Sequence, residues 1–325
     1  MLNSFTRFKQ LSVAALIGLT TMLSTTAFAA YPDKPIKMIV PWPPGGGSDT
    51  LGRVVAKHMS DRLGQPVIIE NKPGATGLIG TDAAVKSKPD GYTLIFIADS
   101  YIVSPLVSPQ TARYDVNKDF SNIGMVGLFP FVLVVNINNH SGNLQDFINK
   151  AKKPDSQITY SSWGIGSSSH LAMEMFKGQT GAVMLHVPFQ GASPAMKAVL
   201  GGEVDALFVP AAVALPHHQS KKANIIGISG KDRLKAAPEL PTLTEQGVTP
   251  WISWMGVLGP AGIAQDRVDV LSKAIKSVVN DPKVQAELEQ KGLVPTYMGP
   301  KELTEFVASE NTRIKSLVKE AHVSK

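Results

Sequence analysis

Residues 36–49 read IKMIVPWPPGGGSD, an apolar strand-like run followed by a turn rich in proline and glycine. Apolar side chains then recur at helical spacing over 51–63, so the turn lies between a strand and a helix. The glycines at 45–47 let backbone N–H groups turn toward one point. Ser48 or Asp49 can cap the helix, whose N-terminus carries about half a positive charge. These features predict an anion-binding loop.

Three more turns of this kind follow later strands of the chain. They read NKPGATG at 71–77, SSWGIGSSSH at 161–170 and VPFQGAS at 187–193. Loops at the carboxyl ends of parallel strands converge on one edge of a sheet, and we therefore expect a shared cleft. The first loop lacks the Lys-Ser/Thr of a P-loop and the G-x-G-x-x-G spacing of a dinucleotide site. The pattern favours a receptor for an anionic small molecule over a catalyst.

The 325 residues, 43% of them hydrophobic, alternate strand-like and helical segments, which predicts an α/β fold. Three strands and two helices make a first βαβαβ unit that ends in the strand at 93–98. The stretch 99–122 is expected to be irregular, and a second unit restarts with an apolar strand at 131–135. The Pro-rich run at 237–241 is expected to be a linker. A chain of this length favours two domains.

The composition also excludes several classes of protein. The chain has no Cys, which removes disulfides, thiolate nucleophiles and iron–sulfur clusters. No H-E-x-x-H motif is present, and we expect neither a metal nor a cofactor. The formal net charge is +6, but the Lys and Arg residues are scattered, and we expect no nucleic-acid partner.

The N-terminus has the pattern of a secretory signal peptide. Arg7 and Lys9 precede an apolar run over 11–23, and the small-x-small sequence Ala27-Phe28-Ala29 follows. The run is shorter than the ~20 residues that span a bilayer. We expect cleavage after Ala29 and export to the periplasm.

Six ordered motifs carry a resemblance that covers the mature chain: YPxKPI at 31–36, PWxPGGGSD at 41–49, NKPGAxG at 71–77, PDGYTL at 89–94, GSSSHL at 166–171 and GGxVD at 201–205. With these motifs the sequence resembles the periplasmic solute-binding receptors of tripartite tricarboxylate transporters, the Bug or TctC proteins. The resemblance implies a two-domain periplasmic-binding-protein fold of the Venus-flytrap, type II-like kind. The chain would cross between domains near Gly127 and Trp254, with residues 30–127 and 254–325 in domain 1 and 128–253 in domain 2.

The resemblance also implies a function, a site and partners. Such receptors bind carboxylates in the interdomain cleft and hand them to a membrane permease, and we expect a monomer that docks transiently. The residues expected to hold the ligand's carboxylate are Gly45, Gly46, Gly47, Ser48, Asp49, Ala75 and Thr76. Those expected to contact its distal part are Ser162, Ser167, Ser168, Pro188 and Phe189. A side chain at Gly46 is expected to block either the backbone geometry or the space that the carboxylate needs.

The distal pocket departs from the family pattern. Trp163 and Ile165 stand where the family usually has small polar residues, and Phe208 is followed by Val209 rather than by an acidic partner for an amino group. A wall of Trp163, Phe189 and Val209 suits a flat ring. We therefore expect an aromatic dicarboxylate such as terephthalate, ahead of benzoate-like monoacids. Adipate, citrate and related aliphatic acids are the alternatives. The possibility that Trp163 packs outward against its own domain stays open.

A secreted hydrolase is an alternative from a different functional class. Ser167 lies close to His170, as in a secreted hydrolase, but neighbours at a helix start usually point to different faces. The G-x-S-x-G spacing of a nucleophile elbow is absent. Capping explains these residues better, and the sequence predicts a binding protein.

Overall fold

A computed structural model of the chain describes residues 31–107, 109–230 and 232–320. The predicted signal peptide lies outside the described residues. The described residues from Lys34 onward form one unit built of two β-sheets with helices packed on them.

The elements follow one another in this order. The first part of the chain contains β1 Ile36–Val40, α1 Gly47–Leu63, β2 Val67–Asn71, a 3-10 turn Ala75–Gly77, α2 Leu78–Val85, β3 Thr93–Ala98, α3 Ser100–Val107 and β4 Phe120–Val135. The middle contains α4 Leu144–Ala151, β5 Thr159–Ser162, α5 Ser168–Thr180, β6 Leu185–Pro188, α6 Ala192–Gly201, β7 Ala206–Pro210, α7 Ala211–Gln219 and β8 Asn224–Ser229. The last part contains a 3-10 turn Thr244–Gln246, β9 Ile252–Pro260, α8 Gln265–Val279, α9 Pro282–Gln290, β10 Val294–Met298 and α10 Pro300–Glu320.

The two sheets share one long strand. The first sheet has the order β2-β1-β3-β9-β4-β10, with β1 parallel to both β2 and β3. The second has the order β6-β5-β7-β4-β8, with β5 parallel to both β6 and β7. The partners of β4 change between Pro130, which pairs with Ile252, and Phe131, which pairs with Pro210 and Ser229. The inner strands β3, β4, β7 and β9 are apolar runs buried on both faces, as strands covered by helices are. The domain division near Gly127 and Trp254 stays a prediction.

Tight packing at the carboxyl edge of the first sheet joins two of the predicted loops. A Cβ built on Gly80 of α2 would lie 2.7 Å from the Lys72 carbonyl oxygen and 2.8 Å from Pro41 Cα. Only a glycine allows α2 to approach both loop backbones this closely. The loops after β1 and β2 are therefore held against one another by a helix.

The stretch 99–122, which the sequence analysis expects to be irregular, is partly helical. Residues 100–107 form α3, although Pro105 lies inside it. Tyr101, Ile102 and Val103 are fully buried, so tertiary packing stabilises a helix that its own propensities do not favour. Among the described residues, no helix combines the length and the apolar character needed to cross a bilayer.

Candidate functional site

A cavity of about 260 Å³ lies where both sheets end and five helices begin. Residues at or next to the N-termini of α1, α3, α5, α6 and α7 line it. Each helix N-terminus presents unpaired N–H groups and a partial positive charge. No Lys, Arg or His is among the described lining residues, so backbone dipoles make this cavity favourable for an anion.

Five of the predicted site residues line the cavity, and nine do not. The lining comprises Trp42, Pro43, Pro44, Gly46, Gly47, Ser48, Ala98, Asp99, Ser100, Phe129, Phe131, Trp163, Ser168, Gln190, Gly191, Ala192, Ser193, Pro194, Pro210, Val213, Ser253 and Met255. The predicted residues outside this lining are Gly45, Asp49, Ala75, Thr76, Ser162, Ser167, Pro188, Phe189 and Val209.

The first loop ends at an open helix N-terminus. Gly46 is the N-cap of α1, and no side chain caps the helix, so the expectation that Ser48 or Asp49 does so is wrong. The Asp49 carboxylate instead accepts hydrogen bonds from Gly45 N (2.9 Å), Arg53 Nε (3.0 Å) and Asn71 Nδ2 (2.8 Å). Burial raises the pKa of Asp49, but these hydrogen bonds outweigh it and the pKa lies below its ordinary value. Asp49 thus fixes the loop from behind and leaves the N–H groups of α1 free for a ligand.

The glycines of this loop have different roles. Gly45 has φ +80°, a conformation that glycine adopts readily and other residues rarely do. Gly46 has φ −76° and ψ 168°, and a Cβ there would lie 3.6 Å from the Pro43 carbonyl oxygen. Backbone geometry therefore does not require glycine at position 46. What a side chain there would occupy is space beside the cavity.

The second loop reaches the second sheet rather than the cavity. Ala75 and Thr76 have φ 46° and 55°, and neither lines the cavity. A Cβ built on Gly164 would lie 3.3 Å from Thr76 Oγ1, and Ser104 Oγ donates to the Thr76 carbonyl at 3.2 Å. Thr76 thus contacts the loop that carries Trp163.

Trp163 belongs to the cavity wall. Its ring packs edge-on against Phe131, with ring centres 5.4 Å apart, and Phe131 packs edge-on against Phe129 at 6.5 Å. All three residues line the cavity, and Trp163 also packs against the core of the second sheet. The wall offers an aromatic surface for the apolar part of a ligand.

The remaining predicted residues of the second sheet support the wall from behind. Val209 is fully buried in the core of that sheet, and Phe189 packs against the same core. The residues next to them, 190–194 and Pro210, do line the cavity. Both predicted loops thus border the cavity, and Pro188, Phe189 and Val209 lie next to its lining.

The serine and histidine side chains do not form a hydrolase site. Ser167 caps α5 by accepting a hydrogen bond from His170 N at 3.3 Å, while Gly166 N donates to His170 Nδ1. Ser162 Oγ is 2.7 Å from His186 Nε2, but Ser162 is fully buried outside the cavity lining. Burial lowers the pKa of His186 to about 4, with the neighbouring His170 contributing.

Sequence reasoning missed Asp99, which lies between β3 and α3 and lines the cavity. Its carboxylate accepts hydrogen bonds from Ser168 Oγ, Ser253 Oγ and Trp251 Nε1. Burial raises its pKa to about 6, although all three hydrogen bonds lower it. The sequence shows no acidic partner after Phe208, and the structure places an acidic group elsewhere on the cavity wall, at Asp99. The acidic residue comes from a stretch taken to be irregular.

Comparison with known proteins agrees with this geometry. The family model "Tripartite tricarboxylate transporter family receptor" matches residues 51–323. Protein BugT of Bordetella pertussis (strain Tohama I) is 33% identical over 315 residues, which cover 94% of this chain and 96% of BugT. The structure of an R. palustris protein with adipate is 25% identical, with a TM-score of 0.85 over 90% of this chain and 98% of the other. MatC from Rhodopseudomonas palustris with bound malate is 26% identical. Its TM-score is 0.80, over 89% of this chain and 100% of the MatC chain.

These matches establish the fold as that of the two-domain periplasmic binding proteins of this type. Receptors of the family are periplasmic, bind small carboxylates, work with transporter permeases and are not enzymes. A cavity surrounded by helix N-termini and free of catalytic side-chain sets fits such a receptor. The chain belongs to the tripartite tricarboxylate transporter receptor family.

Proposed function

We propose that this protein captures an aromatic dicarboxylate, such as terephthalate, in the cavity and delivers it to a tripartite tricarboxylate transporter. The observation that carries the proposal is a pair of open helix N-termini on one aromatic-walled cavity. Neither Gly46 at the start of α1 nor Gly191 at the start of α6 has a side-chain cap, and both line the cavity. α1 follows a strand of the first sheet, and α6 follows a strand of the second. Two carboxylates can each meet one N-terminus, with a ring between them against Trp163.

Capture works by closure of the two domains. The ligand contacts both sheets only when they are close together, so its binding favours the closed state. We place the domains at 30–127 with 254–325 and at 128–253, because β4 changes sheets next to this boundary. Micromolar affinity, about −8 kcal/mol, is ordinary for such a site.

Location and assembly complete the proposal. The signal peptide is removed after Ala29, and the mature chain acts in the periplasm, as receptors of its family do. It is a monomer that contacts the permease transiently.

An aliphatic dicarboxylate is the second candidate. Related structures carry adipate and malate, and the small cavity, near the lower end of the usual ~300–1,000 Å³, also suits such acids. The aromatic rings of the wall favour the first candidate.

Loss of the Trp163 ring should distinguish the two candidates. We expect Trp163→Gly to weaken terephthalate binding about tenfold to a hundredfold, because stacking and apolar burial are together worth about 1–3 kcal/mol. Adipate, citrate and aspartate should change much less. Calorimetric titration of the four acids checks this. Tighter wild-type binding of an aliphatic acid, or an equal loss for all four, would contradict the aromatic assignment.

A branched side chain beside the open N-terminus of α1 should obstruct the carboxylate. We expect Gly46→Val to weaken binding at least tenfold, about 1.4 kcal/mol, and Gly46→Ala to have a smaller effect. Since φ at Gly46 suits any residue, both variants should unfold at nearly the wild-type temperature. Unchanged affinity in Gly46→Val would remove this loop from the site.

A further inference from the structure

Asp99 is the one ionisable group among the described residues that line the cavity, and it is 1% exposed. Its Oδ1 accepts hydrogen bonds from Ser168 Oγ (3.0 Å) and Ser253 Oγ (2.8 Å), and its Oδ2 accepts one from Trp251 Nε1 (2.8 Å). Ser168 begins α5 of the second sheet, whereas Ser253 lies on β9 of the first. One carboxylate therefore joins groups from both sheets.

No cation among the described residues forms an ion pair with Asp99, and its partners are neutral donors. Arg313 of α10 lies behind Trp251, with its guanidinium carbon 5.1 Å from the indole ring centre. Arg313 is itself paired with Glu310 at 2.7 Å. A buried carboxylate without a cation is costly, and this is consistent with a site that receives its balancing donor from a ligand.

Asp99, Ser168 and Ser253 can form further hydrogen bonds only as acceptors. A carboxylate oxygen can accept two hydrogen bonds, so Oδ1 is saturated and Oδ2 keeps one free position. Ser168 and Ser253 give their hydroxyl hydrogens to Asp99, which leaves their oxygens able only to accept. Both serines line the cavity. Asp99, Ser168 and Ser253 together form what we call the acceptor patch.

We propose that the acceptor patch is a specificity determinant that takes a hydrogen-bond donor from the ligand, a hydroxyl or an ammonium group. The natural ligand is then a carboxylic acid that also carries such a donor, for example a hydroxylated relative of terephthalate rather than terephthalate itself. A ligand carboxylate placed at the patch would meet only acceptors and a like charge, so the patch directs carboxylates to the helix N-termini. The inference rests on the proposed function, because it refines the ligand of the same cavity.

The test compares acids that differ by one donor. Benzoate is titrated against 2-, 3- and 4-hydroxybenzoate, and succinate against malate, by calorimetry. We expect the wild type to bind at least one hydroxylated acid ten times or more tighter than its parent. In Asp99→Asn that ratio should fall below threefold, while the parent binds at least as tightly as before. Asp61→Asn, which removes an exposed carboxyl group of α1, is the matched control and should keep the wild-type ratio.

A second measurement needs only the wild type, in case Asp99→Asn does not fold. Near pH 6, where Asp99 titrates, a donor favours its ionised form and releases protons on binding, whereas a parent carboxylate favours its protonated form and takes protons up. Glu310 and Arg313 are the charged groups behind it. Calorimetry in buffers of different ionisation enthalpy measures whether protons are released or taken up when each acid binds. If the hydroxylated acid and its parent both release protons, or both take them up, the inference is overturned. A hydroxyl preference that survives in Asp99→Asn would overturn it as well.

Failure of the two proposals gives different results. If the parent acids bind but no hydroxylated acid binds tighter, the acceptor patch has no role in specificity and the carboxylate receptor stands. If none of these acids binds and terephthalate, adipate and citrate do not bind either, the proposed function fails, and the inference fails with it.

Discussion

Replacing Asp99 by Asn should change the free energy of unfolding at pH 4, relative to that at pH 7, by about 2 kcal/mol. Burial raises the pKa of Asp99 from 3.8 to about 6, against the hydrogen bonds from Ser253, Ser168 and Trp251. Between these two values the unfolded chain has lost a proton that the folded protein keeps. The contribution of Asp99 to stability therefore falls as the pH rises through this window. The Asn variant has no proton to lose.

Urea denaturation of both proteins at pH 4, 5, 6 and 7 measures the effect. The wild-type free energy of unfolding, minus that of Asp99→Asn, should decrease with rising pH and level off near pH 7. Asp61→Asn controls for the removal of a surface carboxyl group. Parallel pH profiles for wild type and Asp99→Asn would show that burial does not perturb this group.

Adding one methyl group at Gly80 should destabilise the protein by about 2 kcal/mol or more. The new Cβ would be within 2.8 Å of backbone atoms of Lys72 and Pro41, which cannot rotate away. Either α2 or the loops after β1 and β2 must shift. Because the first of these loops leads to the open N-terminus of α1, ligand affinity should fall as well.

The matched control for Gly80→Ala is Gly178→Ala on the exposed side of α5. A Cβ there has no atom within 4 Å, and alanine favours the helix over glycine by about 0.5–1 kcal/mol. Urea denaturation should therefore show opposite signs for the two variants. Destabilisation of both by similar amounts would mean that close packing of α2 is not the cause.

Local patterns were sufficient to predict most of the fold. The run 36–40 is apolar and lies before glycines and a helical repeat, and it forms β1 with α1 after it. Parallel pairing of β1 with β2 and β3 follows, because a strand, a helix and a strand in close succession leave little choice. Three of the loops that line the cavity, those after β1, β5 and β6, were found for the same reason.

Contacts between distant residues were beyond such patterns. Asp99 is 69 residues from Ser168 and 154 from Ser253, and nothing in its own neighbourhood marks it as buried. The stretch SYIVSPLV that follows it combines β-branched residues with a proline and reads as irregular, yet packing makes it α3. Val209 and Pro210 are neighbours on β7 and lie on opposite faces of it. Which of the two residues faces the cavity depends on how β7 pairs with β4, a strand distant in sequence.

The uncapped N-termini of α1 and α6 influence how the ligand preference of such a receptor evolves. Backbone N–H groups at α1 and α6 are present whatever side chains the helices carry, so most point mutations leave the anchoring of a carboxylate intact. Mutations at the aromatic wall or the acceptor patch, in contrast, alter the shape and polarity offered to the rest of the ligand. One ancestral scaffold can thus diversify into receptors for many acids by changing a few wall positions, without rebuilding the anchor.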